Sequence, residues 1–289
     1  MSSLFDKLFP ITRSITGEGV RKTIKILNEY IPLKMKSVKS GTKVLNWEVP
    51  SEWEINDAYI KDPAGNKIVD FNDNNLHVLN YSIPVNKKIN LEELKKHLYT
   101  IPEKPNAIPY VTSYYKRRWG FCLSHNKYKK LESGVYEVKI DSELKDDGKL
   151  DYAHAILPGE SEKEILLSTY VCHPSMANNE LSGPIVAAFL YNILKNWENR
   201  RFTYRFVFNP ETIGSITYLH KYGDELKEKM YSGMILTCLG GKSSDLSYKL
   251  SRIENSPLDN VAKHVFDKKI IKGGIRDFDP RGGSDERQY

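Results

Sequence analysis

The sequence has few cysteines and no long apolar run, and each shortage excludes a class of protein. Cys122, Cys172 and Cys238 stand far apart in the 289 residues, so they fit neither a disulfide framework nor a zinc knuckle. No apolar run approaches the roughly 18 residues that span a membrane, and the first residues lack the pattern of a signal peptide. We therefore expect a cytoplasmic protein with no membrane segment. Cys172 and Cys238 each end an apolar run, which predicts buried thiols.

The composition is that of a folded globular chain. Hydrophobic residues make up 40% of it and charged residues 28%. The net charge of +6 is spread over many short clusters, which weakly favours anionic partners and does not establish nucleic-acid binding. No Gly-x-Ser-x-Gly pattern surrounds Ser182, so this serine is predicted to be a helix N-cap and not a nucleophile.

The pattern of residues 46–145 predicts a separate β-rich unit. Two β-rich runs flank a Pro-Ala-Gly-Asn turn at residues 63–66, which is a hairpin pattern. A short helix follows with Asn90 as its N-cap, then a segment rich in proline and tyrosine, and then a strand at residues 134–140.

After residue 145, strands alternate with helices. The predicted strands are 163–171, 202–209 and 232–240, and the predicted helices are 182–197, 212–230 and 258–270. Ile185, Phe189, Ile193 and Trp197 form the expected buried stripe of the first of these helices. This alternation predicts an α/β fold with a mostly parallel sheet and helices on both faces.

The right-handed crossover rule places the strand ends on one edge of this sheet. His173, Glu211 and Gly240 each follow a predicted strand, so we expect them to lie beyond the carboxyl ends of their strands. Imidazole and carboxylate groups that converge from such loops are typical metal ligands in hydrolases.

Several stretches resemble a bacterial aminopeptidase-like family that is linked to polysaccharide biosynthesis and related to the dinuclear zinc exopeptidases. They are "LFPITRSITGEGVRKT", "NLHVLNYSIPVN", "YVTSYYKRRWGFCLSHNKY", "CHPSMANNELSG", "PETIGSITYL", "LTCLGG" and "PRGGSDERQY". The resemblance implies a zinc-exopeptidase-like α/β domain made of residues 1–45 and 146–289, interrupted by an inserted β-rich domain at residues 46–145. It also implies that family members continue beyond Tyr289 and there complete the catalytic domain.

The same resemblance assigns metal ligands by position. His173 becomes a zinc ligand, and Glu211 becomes a ligand or the general base. The bridging aspartate of the family falls on Asn179, while Glu180 replaces a neutral residue. The acidic ligand of the third strand falls on Gly241, which has no side chain.

Two of five expected ligands therefore remain, since a last histidine would lie past Tyr289. Glu180 or Asp245 could serve as substitutes, and Asp285 could support the centre or bind a substrate amine. The resemblance thus predicts a metal-dependent aminopeptidase that acts on N-terminal amides, with activity impaired by the missing ligands.

The stretch "SYYKRRWGFC" mixes aromatic and basic residues. Tyr115, Arg117, Arg118 and Trp119 are predicted to contact the carboxylate or sugar of a small substrate. A strand with an aromatic inner face and a basic outer face explains the pattern too, and single-stranded nucleic acid is a third reading. Arg13, in the turn before the first helix, fits either an anion site or simple capping.

A second function stays open on the sequence alone. Loss of ligands and the aromatic-basic stretch favour a non-catalytic binding protein in surface-polysaccharide biosynthesis, which keeps the cleft for a peptide or an amino-sugar. An apolar edge left by missing closing elements would favour a homo-oligomer.

Overall fold

The computed structural model describes residues 1–243, 245–281 and 284–289. Its α-helices are α1 (Ser2–Leu8), α2 (Glu18–Leu27), α3 (Leu91–Lys95), α4 (His125–Lys129), α5 (Ser182–Lys195), α6 (Ile213–Lys229) and α7 (Pro257–Asp267). Its strands are β1 (Lys34–Lys39), β2 (Lys43–Val44), β3 (Trp47–Glu48), β4 (Glu52–Lys61), β5 (Lys67–Asp70), β6 (Val85–Asn90), β7 (Leu98–Tyr99), β8 (Phe121–Cys122), β9 (Val135–Lys145), β10 (Lys149–Leu157), β11 (Ser161–Tyr170), β12 (Phe202–Asn209), β13 (Met230–Ile235), β14 (Leu246–Lys249) and β15 (Gly273–Arg276).

The largest sheet of the described residues is mixed, which corrects the expectation of a mostly parallel sheet. Its order is β1-β10-β12-β11-β13. β11 runs parallel to β12 and β13, whereas β10 is antiparallel to both β1 and β12. The reason is the short connection at residues 158–160 between β10 and β11, because a parallel crossover needs about a dozen residues or more.

Helices cover both faces of this sheet. Alternate residues of β11 point to opposite sides, as the strand period requires. Leu167 packs into a core with α1, α2 and α5, whereas Leu166 packs into a second core with α6. Because both faces of the sheet are covered, every residue of β11 from Glu164 to Tyr170 is buried.

The buried face of α5 differs from the predicted stripe. Ile185 is buried as predicted, but Ile193 and Trp197 are 57% and 50% exposed. Tyr191 and Leu194 fill the core in their place. The predicted buried stripe was wrong because α5 has apolar residues on several sides. The spacing of its apolar residues therefore does not select one buried face.

A second sheet lies in residues 52–145, with the antiparallel order β5-β4-β9-β6. The pairing of β4 with β5 across residues 62–66 confirms the predicted hairpin. The side chain of Asn90 accepts a hydrogen bond from the backbone N–H of Glu93, so it caps α3 as predicted. β9 ends at Lys145, and the chain then passes directly into β10 of the main sheet.

None of the helices in the described part of the chain combines the length and the apolar character that crossing a bilayer requires.

Candidate metal centre

Three loops follow β11, β12 and β13 at one edge of the main sheet, and each contains a strained residue. Ser175, Thr212 and Cys238 have positive φ angles of 43°, 63° and 54°. Residues other than glycine rarely adopt this conformation, and it persists where the surrounding structure holds it in place. Strained backbone of this kind clusters at functional sites, so this edge of the sheet is a candidate functional site.

The structure brings His173 and Glu211 together at this edge, as the crossover rule predicts. The Nε2 atom of His173 lies 3.0 Å from the Oε2 atom of Glu211. The Nδ1 atom lies 3.1 Å from the hydroxyl of Tyr110. Both ring nitrogens therefore have a partner, and the buried imidazole is held in one orientation.

Glu180 reaches the same place from a π-helical turn over Ala177–Leu181, directly before α5, and Asn179 precedes it in that turn. Such turns are rare and occur mainly at functional sites. The carboxylate of Glu180 is fully buried, with Nε of Arg13 3.5 Å from Oε1, but neither oxygen makes a hydrogen bond of ordinary geometry with the described residues. The buried Oδ1 atom of Asn179 likewise has none there. Buried acceptors without partners are costly, so these three oxygens point to a missing cation or donor.

Cys172 adds a sulfur to this group. One ligand atom from each of Cys172, His173 and Glu180 can be chosen so that all lie within 4.8 Å of one another. The thiol accepts a hydrogen bond from the backbone N–H of Glu211 at 3.2 Å. Cys172 is buried as predicted, whereas Cys238 is exposed and corrects the prediction of a second buried thiol.

Arg13, like Tyr110 and the thiol of Cys172, was not predicted to lie at this centre. Its guanidinium is fully buried, with Nε 3.5 Å from Oε1 of Glu180. The Nε and Nη1 groups donate hydrogen bonds to the carbonyls of His173 and Leu8, at 2.9 and 2.7 Å. Arg13 therefore fixes the loop after β11 and supplies the positive charge nearest to Glu180.

Burial and charge set the protonation of the centre. Burial opposes a charged His173, but Glu211 and Glu180 outweigh it and raise the pKa of His173. Burial raises the pKa of Glu180 to about 7, against the opposing charges of His173 and Arg13. For Glu211, burial is outweighed by the hydrogen bond and charge of His173, so its pKa is lowered. Glu211 is therefore the ionised carboxylate of the centre at neutral pH.

Asp285 lies beside the centre and holds the start of α6. Its Oδ1 atom accepts hydrogen bonds from the backbone N–H of Thr212 at 2.7 Å and the hydroxyl of Ser215 at 3.1 Å. Its Oδ2 atom accepts one from the amide of Asn209 at 2.9 Å. Burial raises the pKa of Asp285 to about 6, although these donors oppose the rise. These contacts place Asp285 as a support for the strained Thr212.

The third loop supplies no ligand side chain. Gly241 is exposed, and a Cβ atom built there would meet nothing within 4 Å. Asp245 is exposed and lies outside the group of potential ligands that the described residues form. Instead, the backbone N–H groups of Leu239 and Gly240 bond to Ser182 and Asn178. This loop is therefore tied to the π-helical turn through its backbone.

The aromatic-basic stretch contacts the centre through other residues than those predicted. The hydroxyl of Tyr114 lies 2.7 Å from that of Tyr110, which contacts His173. Trp119 is only 7% exposed and stacks on His97 at 3.6 Å between ring centroids, so its face is covered. Tyr114 belongs to this stretch and Tyr110 precedes it by three residues, but an aromatic-rich segment does not reveal which rings turn inward.

The predicted contacts Tyr115, Arg117 and Arg118 lie nearer the surface. The Tyr115 hydroxyl donates to the carbonyl of Glu48 at 2.9 Å. Arg117 is 71% exposed at its side chain and lies 3.7 Å from Asp146. Arg118 donates to the carbonyl of Thr112 at 2.8 Å. Their role toward a substrate stays a prediction.

The fold places this chain among the aminopeptidase-like α/β proteins. It superposes on a zinc aminopeptidase from Bacillus subtilis with a TM-score of 0.63 over 96% of this chain and 83% of the other, at 11% identity. It superposes equally well on a peptidase M28 precursor from Shewanella amazonensis, over 99% of this chain and 81% of the other, at 13% identity. At such identities the likeness shows a common fold. The chain belongs to the family described as a domain of unknown function (DUF4910), whose model matches residues 2–289.

Two comparisons with Clostridium acetobutylicum are much closer. A protein named "Putative polysaccharide biosynthesis protein with aminopeptidase-like domain" is 47% identical over 287 residues, which cover 99% of this chain and 65% of that protein. A crystal structure named "putative peptidase" has a TM-score of 0.94 at 48% identity and covers 99% of this chain and 67% of the other. These matches confirm the resemblance predicted from the motifs.

Proposed function

We propose that this chain binds one divalent cation, zinc by family resemblance, and hydrolyses N-terminal amides of small peptides or amino-sugar-like substrates with low efficiency. The observation that carries the proposal is the buried group of Cys172, His173 and Glu180, whose potential ligand atoms lie within 4.8 Å of one another. A thiol, an imidazole and a carboxylate are donors suited to a borderline-soft divalent ion.

The same donor set does not fit two ions. Two cations about 4 Å apart need anionic bridging groups to offset their repulsion. Asn179, at the family's bridging position, supplies a neutral oxygen, and Gly241 supplies none. Arg13 already brings one positive charge to Glu180. A single ion of reduced affinity is therefore the form that these residues support.

The roles of the residues follow from their protonation. A bound ion would supply a Lewis acid and lower the pKa of a water molecule. Glu211, which keeps its negative charge at neutral pH, would serve as the general base. His173 would bind through a ring nitrogen, Arg13 would hold its loop, and Asp285 would keep Thr212 and the start of α6 in place.

Metal analysis of the purified protein tests the proposal. We expect about one zinc ion per chain at pH 8 and less at pH 6, because binding must displace protons from His173 and Glu180. His173→Ala and Glu180→Gln should lose the ion, whereas His125→Ala, in α4, should keep it. Aminoacyl amides should be hydrolysed slowly, and a chelator should stop the reaction.

Two results would contradict this proposal. Two zinc ions with fast turnover would show that Asn179 and Gly241 do not impair the centre. No zinc at any pH would favour the second candidate, a non-catalytic binding protein in surface-polysaccharide biosynthesis. The buried guanidinium of Arg13 favours that candidate, since it partly replaces the charge of a cation beside Glu180.

We also propose that residues 46–145 form an inserted β-rich domain of an aminopeptidase-like unit. In support, one hydrophobic cluster is built from buried residues between Ala58 and Ile140 alone. Expression of residues 46–145 tests this proposal: cooperative thermal unfolding would support it, and an unfolded product would contradict it. Cytoplasmic location and self-association stay predictions of the sequence.

A further inference from the structure

A cavity of about 530 Å³ is lined by residues from three segments, 40–51, 113–117 and 144–146, and by Tyr81. Tyr81, Tyr114, Tyr115, Ser40 and Ser113 are among its lining residues, and of the three tyrosines Tyr115 is the exposed one. Two acidic and two basic side chains also line it, namely Glu48, Asp146, Lys116 and Arg117. Its volume lies within the range of small-molecule sites, about 300–1,000 Å³.

The aromatic wall of this cavity is held in place by hydrogen bonds. Tyr81 has a positive φ of 69°, and its hydroxyl donates to the carbonyl of Ser51 at 2.9 Å. The same hydroxyl lies 2.6 Å from that of Thr16. The ring of Tyr114 meets Tyr81 edge-on at 5.4 Å between centroids. A strained, fully bonded tyrosine is a rigid element, so the wall is formed before any ligand arrives.

The chemistry of the lining suits a neutral sugar. The exposed ring of Tyr115 offers a flat surface to the C–H face of a pyranose, and carboxylates and serines bond to its hydroxyl groups. The Oγ atom of Ser40 is buried and has no hydrogen-bond partner among the described residues. Because two acids balance two bases, the cavity does not favour a strongly charged group such as a phosphate.

Tyr114 connects this cavity to the candidate metal centre. Its ring lines the cavity, and its hydroxyl lies 2.7 Å from that of Tyr110. Tyr110 in turn lies 3.1 Å from Nδ1 of His173. Two hydrogen bonds thus separate a cavity wall from the imidazole.

We infer that the cavity is a sugar subsite, which binds the neutral glycosyl part of a substrate whose amide lies at His173. The inference names the substrate class and rests on the proposed function for the reaction. Binding of the sugar itself is independent of that reaction, because none of the residues that line the cavity is a candidate metal ligand.

Saturation-transfer NMR of the full chain with N-acetylglucosamine and its β-1,4-linked disaccharide tests the inference. We expect transfer to the ring protons of both sugars. Tyr115→Ala should weaken binding by about tenfold, the effect of losing one aromatic contact. Tyr115→Phe keeps the ring and should bind within a few-fold of wild type, which separates ring packing from the hydrogen bond to Glu48.

The control is Tyr231→Ala, which removes an exposed tyrosine at the opposite edge of the main sheet, where its ring stacks on Phe202. This variant should bind as wild type does. Addition of sugar should also shift the NMR signals of the His173 imidazole in wild type. Tyr114→Phe should abolish that shift while keeping saturation transfer, since it breaks only the hydrogen bond to Tyr110.

The outcomes separate this inference from the proposed function. No saturation transfer in wild type, or transfer that Tyr115→Ala leaves unchanged, would overturn the sugar subsite. Zinc binding and turnover of aminoacyl amides would then still stand. Sugar binding with the expected variant pattern in a protein that holds no zinc would support the subsite and overturn the hydrolase.

Discussion

The oppositely charged side chains of Arg13 and Glu180 are buried next to each other, beside His173. Their closest atoms are 3.5 Å apart, which is longer than a charge-assisted hydrogen bond, and the Nη2 group of Arg13 has no partner among the described residues. Burial accordingly raises the pKa of Glu180 and lowers that of Arg13. The pair is therefore held by the fold around it and contributes little net stability by itself.

Removing Arg13 should nevertheless be severe. Arg13→Met leaves the Glu180 carboxylate buried without its cation and frees the carbonyls of His173 and Leu8. We expect a loss of about 3–5 kcal/mol in the free energy of unfolding, measured by urea titration. Glu180→Gln should cost less, because Arg13 keeps both carbonyl acceptors. Equal losses in the two variants would contradict this view of the pair.

Asp285 should make stability depend on pH. Its folded pKa of about 6 lies above the ordinary value of 3.8, so the folded state binds more protons than the unfolded state between these values. The contribution of Asp285 to stability is full below pH 4 and falls as pH rises to 6, by about 3 kcal/mol in total. Urea titrations from pH 4 to 7 should show this slope in wild type and a flatter one in Asp285→Asn. Parallel profiles would refute it.

At the scale of elements, the junction between the π-helical turn and α5 holds two loops together. Ser182 is the first residue of α5, not its N-cap. Its hydroxyl donates to the carbonyl of Asn178 at 2.5 Å and accepts from the backbone N–H of Leu239 at 2.8 Å. The serine thus joins the loop after β11 to the loop after β13. The local sequence pattern does not predict this contact.

Gly183 should not tolerate a side chain at this junction. A Cβ atom there would lie 2.1 Å from the carbonyl oxygen of Leu236 and 2.4 Å from the hydroxyl of Thr169. Gly183→Ala should lower the free energy of unfolding by about 1–3 kcal/mol or more, measured by urea titration. Gly223→Ala in α6, where the space is open, is the matched control and should stabilise by about 0.5–1 kcal/mol. If Gly183→Ala were neutral, the junction would be looser than the structure indicates.

The elements differ in how far the sequence predicts them. β11 and α6 were predicted within a few residues because each carries a strong apolar pattern between clear boundaries. The direction of β10 was not predicted, because strand pattern carries no information on which neighbour a strand pairs with. The π-helical turn was not predicted either, since its extra residue depends on packing against β13 and its loop.

At the scale of the whole molecule, Arg21 ties helix α2 to both sheets. It extends from α2 and pairs with Glu52 of β4 at 2.7 Å and Asp151 of β10 at 2.9 Å. It also pairs with Glu54 of β4 at 3.1 Å. A single cation therefore offsets the charges of carboxylates from two sheets.

Arg21→Met should loosen this junction most at neutral pH. The carboxylates would then repel one another, and we expect a loss of about 3 kcal/mol at pH 7. Arg21 and other hydrogen bonds outweigh burial and lower the pKa of Glu52, so the stability from this pair is present at neutral pH and lost on acidification. Urea titrations should therefore show a smaller loss at pH 4 than at pH 7. A loss independent of pH would point to packing by the Arg21 stem alone.

Only those residues of the candidate centre that follow neighbouring parallel strands were predictable from the sequence. His173 and Glu211 follow parallel neighbours, so the topology of β11 and β12 brought them together. Arg13 and Tyr110 come from segments far away in the chain, and only the tertiary fold brings them to the imidazole. Glu180 was recognised as a substitute ligand from the motif, but its burial against Arg13 was not.

Cys238, the strained residue in the loop after β13, is suited to selective chemical labelling. Of the three cysteines only Cys238 is exposed, and its sulfur lies 3.8 Å from the side-chain amide of Asn179. A maleimide fluorophore should therefore attach at this one position, while the thiols of Cys122 and Cys172 stay unlabelled inside the protein. The emission of such a dye would report whether an ion or a ligand has bound at the candidate metal centre, and the measurement would need no substrate turnover.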